Sequence, residues 1–162
     1  MKHRIGQGVD VHQFENGGPL IIGGVSIPYT KGSKGHSDGD VLYHSIVDAI
    51  LGALALGDIG EYFPSDDERW ENADSKIFLK RIQSLMKEKN YMIGNIDTTI
   101  ILQNPQINPY ILEMRKNIAH ILSLDIDAVS VKSTTTDYLG VIGSGKGIAA
   151  TAVVLLTGAN GS

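Results

Sequence analysis

The chain has 162 residues, 42% of them hydrophobic and 20% charged, long enough to bury a sizeable core in one domain over residues 1–162. Its 14 basic and 18 acidic side chains leave a net charge of −4 with no dense Lys/Arg cluster, which argues against nucleic acid and anionic membrane as partners. Cysteine is absent, so disulfides are excluded and any metal site must use His and carboxylate ligands; with no apolar signal region and no bilayer-length apolar run, a soluble cytoplasmic protein is expected.

Residues 5–12 are β-prone and predict a strand on which Asp10 and His12, two apart, point to the same side. That pair reads either as part of a metal or catalytic set or as a surface salt bridge. Leu20-Ile-Ile and Val25-Ser-Ile, joined by Gly23-Gly24, predict a β-hairpin of structural role, followed by a Gly/Ser/Lys loop over residues 29–35. Ser37 followed by Asp40 resembles a capping box with Asp in place of Glu, so a helix is expected to start here. On it Asp40, His44 and Asp48 recur at i, i+4 and i+8 and share one face of a mostly apolar element. A satisfied core histidine is the alternative to a ligand site.

Residues 57–67 are acidic and turn-rich. Residues 75–89 predict an amphipathic helix with Phe78, Ile82, Leu85 and Met86 on one face, and residues 96–103 a strand rich in Ile and Thr. A second amphipathic helix is expected over residues 110–122, with Pro109 suited to its first turn and His120 on its surface. Residues 129–134 alternate as a half-buried strand; residues 140–147, with four glycines, predict a loop or bulged corner; residues 148–157 form the last strand. This order suits an α+β fold, a two-layer sandwich of a mixed β-sheet with helices on one face.

Three groups carry chemistry. Asp10, His12 and His44 offer an N/N/O set suited to Zn²⁺ with a fourth position open. Thr134-Thr-Thr-Asp137, at a strand end, gathers hydroxyls and a carboxylate of the kind that hold a phosphate and a hard cation such as Mg²⁺, although a threonine triplet is also ordinary strand sequence. His36 and Ser37 add hydrogen-bonding groups at a helix N-terminus, where an anion is favoured. With Lys132 the chief cation nearby, a polyphosphate would need metal ions for neutralisation, two rather than one. Neither Gly-x-Gly-x-x-Gly nor a P-loop is present.

Gly8-Val-Asp-Val-His-Gln-Phe14, His36-Ser-Asp-Gly-Asp40 with His44, Leu56-Gly-Asp-Ile-Gly60 with Phe63-Pro64, and Thr134-Thr-Thr-Asp-Tyr-Leu-Gly140 closely resemble the 2-C-methyl-D-erythritol 2,4-cyclodiphosphate synthase family, in order and over essentially the whole chain. The resemblance implies an intramolecular phosphoryl transfer that converts 4-diphosphocytidyl-2-C-methyl-D-erythritol 2-phosphate into the cyclic diphosphate and CMP, in the non-mevalonate isoprenoid pathway. It implies Zn²⁺ on Asp10, His12 and His44, transition-state stabilisation by His36 and Thr135, and Mg²⁺ or Mn²⁺ on the diphosphate with Asp137 as a ligand. Substrate contacts would come from Asp10, Val11, His12, His36 and Ser37, from Asp58, Ile59 and Gly60, and from Phe63, Pro64, Ser65, Asp66 and Asp67. Leu102, Gln103, Asn104, Pro105, Gln106, Ile107 and Asn108, with Thr134, Thr135 and Thr136, would frame the cytidine, and Asp137, Val141 and Ser144 would add further substrate contacts. The family is a homotrimer with active sites between subunits.

Three positions depart from the family pattern. Asp137 replaces the usual Glu, Ser65 stands where a loop carboxylate is common and leaves Asp66 and Asp67 for that role, and Val141, Ser144 and Lys146 replace a Phe and an Arg-x-Glu pattern with which some members bind an isoprenoid diphosphate. By the resemblance Asp48 becomes a partner that orients the His44 imidazole. The competing readings are a zinc phosphoesterase using the same three ligands and a trimeric prenyl-diphosphate-binding module without catalysis.

Overall fold

In the computed structural model, which describes residues 2–159, the strands are β1 (Lys2–Asn16), β2 (Leu20–Ile22), β3 (Val25–Ile27), β4 (Lys31–Ser33), β5 (Tyr91–Ile101), β6 (Val129–Thr134) and β7 (Gly147–Gly158). The helices are α1 (Val41–Leu54), α2 (Ile59–Tyr62), α3 (Lys76–Glu88), α4 (Ile111–Leu122) and α5 (Gly140–Gly143). Five strands form one sheet in the order β4-β1-β7-β5-β6, mixed because β5 and β6 run parallel while the other pairs are antiparallel; β2 and β3 form a separate hairpin.

The period-2 pattern sorts each strand into two faces. Gly6 and Gly8 of β1 share a face with Ala152 and Val154 of β7 and with Ile96 and Ile100 of β5, and this face is packed against the helices. The other face leaves Ile5, Val9, Val11 and Val153 exposed. The helices therefore cover one side of the sheet only, as the element order predicts.

α1 is apolar nearly all round because it is enclosed by β1 and β7 on one side and α3 on the other. Its approach to β1 requires glycine: a Cβ on Gly6 would overlap the Ala49 carbonyl, and one on Gly8 the Ser45 carbonyl. The helix begins at Val41 rather than at the expected Ser37–Asp40 box, and Asp40 alone caps it, accepting the Tyr43 N–H at 3.1 Å. The same fully buried carboxylate accepts the Gly23 and Gly24 N–H groups at 2.9 and 2.8 Å, locking the hairpin turn onto the helix start. Both turn glycines have left-handed φ, +58° and +71°, as a two-residue β2–β3 turn demands.

Three stretches expected as loops carry regular structure. Residues 31–33 form β4 because β1 runs on past residue 12 and offers them its edge, with Phe14 opposite Ser33. Residues 59–62 form α2 because Asp58 caps it, accepting the Glu61 N–H at 3.2 Å. Residues 140–143 form α5, where consecutive left-handed residues Asp137 and Tyr138 reverse the chain after β6. Among the described residues no helix is long and apolar enough to cross a membrane.

Candidate metal centre and neighbouring loops

Asp10 and His12 project from β1 toward α1, two and four residues beyond the close contact at Gly8, and His44 projects from the first turns of α1 to meet them. Asp10 Oδ2 lies 2.7 Å from His12 Nε2 and 3.2 Å from His44 Nδ1, and the two ring nitrogens are 3.3 Å apart. Ligands about 2.0–2.1 Å from a tetrahedral cation stand roughly 3.3 Å from one another, so this triangle has the size such an ion needs. The three ligand atoms are the one group of this kind found among the described residues.

Burial pushes the Asp10 carboxyl up, but the hydrogen bonds and charge of His12 and His44 outweigh it and hold Asp10 below the usual carboxylate range. Burial likewise pulls His12 down, and Asp10, with the Lys34 carbonyl, overcomes this and raises it. His12 Nδ1 lies 3.1 Å from the Lys34 carbonyl, which can only accept, so the Nε2 lone pair faces the centre. The His44 ring lies near that of Phe78, at 5.8 Å between centroids.

Asp48 does not touch His44. Its carboxylate accepts the Ile59 N–H at 3.0 Å, since Asp48 sits one turn further along α1, toward α2. His44 Nε2 is instead 2.7 Å from Ser75 Oγ and 3.2 Å from Ser37 Oγ. Nothing in the spacing of the sequence singles out Ser75, which comes from the start of α3.

His36 is half-buried and its Nε2 is 2.9 Å from the Asp67 carbonyl, so its neutral form spends its one N–H on that bond. In the segment leading to Asp67, the Phe63 ring is buried, stacked on Phe78 at 4.3 Å between centroids and edge-on to Trp70. Phe63 thus anchors the loop through the core, and Pro64, half-buried, follows it. Asp67 is engaged by Arg69 at 2.6 Å, whereas Ser65 and Asp66 are exposed. Of the two loop carboxylates only Asp66 is left open to solution without a salt bridge among the described residues. Asp58 and Gly60 are exposed and Ile59 half-buried, at the N-terminus of α2.

Thr134 to Asp137 do not converge with the metal triangle in the same chain. Thr134 pairs with Ile101, Ile101 with Ala149 and Ala149 with Val11, so Thr134 and Val11 occupy one row. Three inter-strand spacings separate them, about 14 Å. At that far edge Leu102, Gln103, Pro105, Gln106, Ile107, Asn108, Ser133, Thr134 and Thr135 enclose a cavity of about 200 Å³, with Asn104 beside it in the same turn. Thr135 Oγ1 accepts the Asp137 N–H at 3.2 Å and lies 3.4 Å from the Asp137 carboxylate, while Thr136 Oγ1 donates to the Leu139 carbonyl at 2.8 Å.

Lys132, expected to be the chief nearby cation, is exposed on the outer face and paired with Asp97 at 2.9 Å. Lys31, Lys34 and Lys146, with Val11, His12, Phe14 and Val141, line a groove of about 790 Å³ that meets the triangle at His12, and Lys34 adjoins His12 through its carbonyl. The sequence reading missed them because β4 and the start of β7 bring them to β1 from distant positions. Ser144 turns its hydroxyl back to the Val141 carbonyl at 3.1 Å and does not line that groove.

Fold and site together define an α+β sandwich protein with a two-histidine, one-carboxylate cluster on its first strand and buried helix whose geometry could hold a cation. The YgbB family model matches residues 3–157, and the chain belongs to the YgbB family. It is 54% identical over 153 residues to the 2-C-methyl-D-erythritol 2,4-cyclodiphosphate synthase of Bacillus cytotoxicus, covering 94% of this chain and 97% of that one. The synthase of Geobacter metallireducens is likewise 54% identical over 153 residues, covering 94% of this chain and 98% of its own.

Among solved structures, the bifunctional IspDF of Campylobacter jejuni superposes with a TM-score of 0.94 at 43% identity over 98% of this chain, which spans 43% of that longer one. A CDP complex of IspF from Plasmodium falciparum superposes with a TM-score of 0.86 at 43% identity, covering 98% of this chain and 97% of that one.

Proposed function

We propose that the chain converts 4-diphosphocytidyl-2-C-methyl-D-erythritol 2-phosphate into 2-C-methyl-D-erythritol 2,4-cyclodiphosphate and CMP, in the non-mevalonate route to isoprenoid precursors. The observation that carries this reading is the convergence of Asp10, His12 and His44 on one centre in a chain 54% identical to such synthases over 153 residues.

An oxygen of the 2-phosphate attacks the β-phosphorus. The new P–O bond closes the ring as the bond from that phosphorus to the α–β bridging oxygen breaks, and CMP leaves with the bridging oxygen. Such a transfer requires positioning and charge stabilisation rather than a protein nucleophile. Zn²⁺ held by Asp10, His12 and His44 would supply the positive charge that aligns and polarises the diphosphate. Asp137 would hold Mg²⁺ or Mn²⁺ against the same group, directly or through water, and Lys34 adds charge at the rim of the groove.

His36 and Thr135 contact the reacting phosphates in this reading. For His36 to donate to an anion, its imidazole must be protonated or give up its bond to the Asp67 carbonyl. Ser37 holds the 2-phosphate, Asp58 and Asp66 with the α2 loop receive the methylerythritol hydroxyls, and the cavity between residues 102–108 and 133–135 takes the cytidine.

The separation of that cavity from the triangle, about 14 Å along the sheet, supports a site completed by a second chain. The exposed apolar stripe of Ile5, Val9, Val11 and Val153 supports the same reading. We assign the chain as one cytoplasmic domain that works as a homotrimer. Incubation with the diphosphocytidyl substrate, followed by phosphorus NMR, tests the activity: cyclic diphosphate and CMP are expected, and linear phosphate products would assign it to phosphoester hydrolysis instead.

A further inference from the structure

Ser75 occupies the N-cap position of α3 yet makes no side-chain cap to that helix. A serine there ordinarily turns its oxygen onto an amide of the first turn. This one is fully buried and turns away, standing 2.7 Å from His44 Nε2 and hydrogen-bonded on its other side to Asp38 Oδ1.

Counting protons assigns a direction to each bond. Asp38 Oδ1 accepts the Asp40 N–H at 3.0 Å and Oδ2 accepts the Ser75 N–H at 2.9 Å, so both carboxylate oxygens act as acceptors. The single hydroxyl proton of Ser75 is therefore given to Asp38, and toward His44 the serine can only accept. The His44 proton then sits on Nε2, and the Nδ1 lone pair is aimed between Asp10 Oδ2 and His12 Nε2.

We propose that Ser75 and Asp38 are positioning residues of the metal centre: through hydrogen bonds from the start of α3 they hold His44 as the Nε2–H tautomer with its ring plane fixed, so that Nδ1 is presented to the cation. The inference rests on reading Asp10, His12 and His44 as cation ligands. The same segment also secures the other histidine, since Asn72 N–H donates to the His36 carbonyl at 2.7 Å and Asp38 N–H to the Ala73 carbonyl at 3.0 Å. Ser37 shares the His44 proton at 3.2 Å from a half-buried loop, and it remains available to a ligand while Ser75 keeps its hold.

The test uses the full-length protein loaded with Zn²⁺, and with Co²⁺ as a spectroscopic probe. Ser75→Ala should weaken Zn²⁺ affinity, read by competition with a chromophoric chelator, by about 10–100-fold and shift the visible Co²⁺ bands, while Ser75→Thr regains much of both. Zn²⁺ affinity within about twofold of the parent and an unchanged Co²⁺ spectrum in Ser75→Ala would overturn the proposal. Ring ¹⁵N NMR of the zinc-loaded parent decides it without a substitution: a slowly exchanging proton on His44 Nε2 is expected, and a proton on Nδ1 excludes the relay. Failure of the parent itself to bind either ion would instead remove the cation reading on which the relay rests.

Discussion

Gly8 of β1 lies directly against the backbone carbonyl of Ser45 in α1, with no room for a Cβ between them. This contact sets the distance between the strand that carries Asp10 and His12 and the helix that carries His44. Gly8→Ala should therefore force strand and helix apart, costing about 1–3 kcal/mol of stability and weakening cation binding along with it. Gly6→Ala, which meets Ala49 one turn further from the ligands, should cost similar stability with a smaller loss of affinity. Thermal unfolding and chelator titration of the two variants check this, and equal affinity loss would show that the spacing at Gly8 is not what places the ligands.

His44→Ala removes one of three converging donors. Its loss should exceed the roughly 10–100-fold penalty typical of a supporting hydrogen bond, leaving the purified protein well below one equivalent of tightly bound metal. Elemental analysis reads this directly, and full metal content in the variant would show that the ion sits elsewhere.

The cation competes with a proton for His12. Asp10 raises that imidazole above its ordinary value of 6.5 despite burial, so the ligand form is lost as pH falls through the raised value. Apparent affinity should fall by about tenfold per pH unit below it and level off above. Isothermal titration across pH 6 to 8 in two buffers of different ionisation enthalpy should also register one proton released per ion bound near the lower end.

Asp40→Ala should be the most destabilising of these changes. It removes the α1 cap, worth about 0.5–2 kcal/mol, and strands the Gly23 and Gly24 amides, each costing about 1–3 kcal/mol when buried. Burial, reinforced by Asp38, pushes the Asp40 carboxyl up to about 6. Folding thus favours its protonated form, and the stability Asp40 contributes is greatest below its unfolded value of about 4 and declines as pH rises through about 6. The gap in melting temperature between parent and variant should narrow from pH 4 to pH 7, and a gap that widens would reverse the sign assigned here.

Asp137 is exposed and, among the described residues, its side-chain and N–H bonds are to Thr135. Asp137→Ala should cost up to about 1 kcal/mol, because Ala suits the left-handed backbone here less well than Asp, while raising the Mg²⁺ concentration needed for half-maximal turnover. An unchanged Mg²⁺ requirement would mean that Asp137 is not a metal contact.

Much of this molecule is legible along the chain. The amphipathic spacing of Phe78, Ile82 and Met86 and of Met114, Ile118 and Ile121 predicts α3 and α4, the alternation of Val129 and Val131 predicts β6, and Gly23-Gly24 predicts the turn between β2 and β3. Asp10 and His12 share a side because strand geometry repeats every two residues. In each case the determining interactions lie within a few residues, so local pattern suffices.

Sequence alone also determined that His44 stands on an apolar helix with carboxylates near it. It could not say which partner that ring would find. A shared helical face led to Asp48, but the sheet, through Gly6 and Gly8, sets how α1 is turned, and the start of α3 packs Ser75 against Nε2 from 31 positions away. Likewise the strand order β4-β1-β7-β5-β6, which no local pattern encodes, puts Thr134 on the far side of the sheet from Asp10. Only the tertiary structure decides these relationships, because they depend on how rigid elements are rotated and ordered against one another, and short-range periodicity carries no information about either.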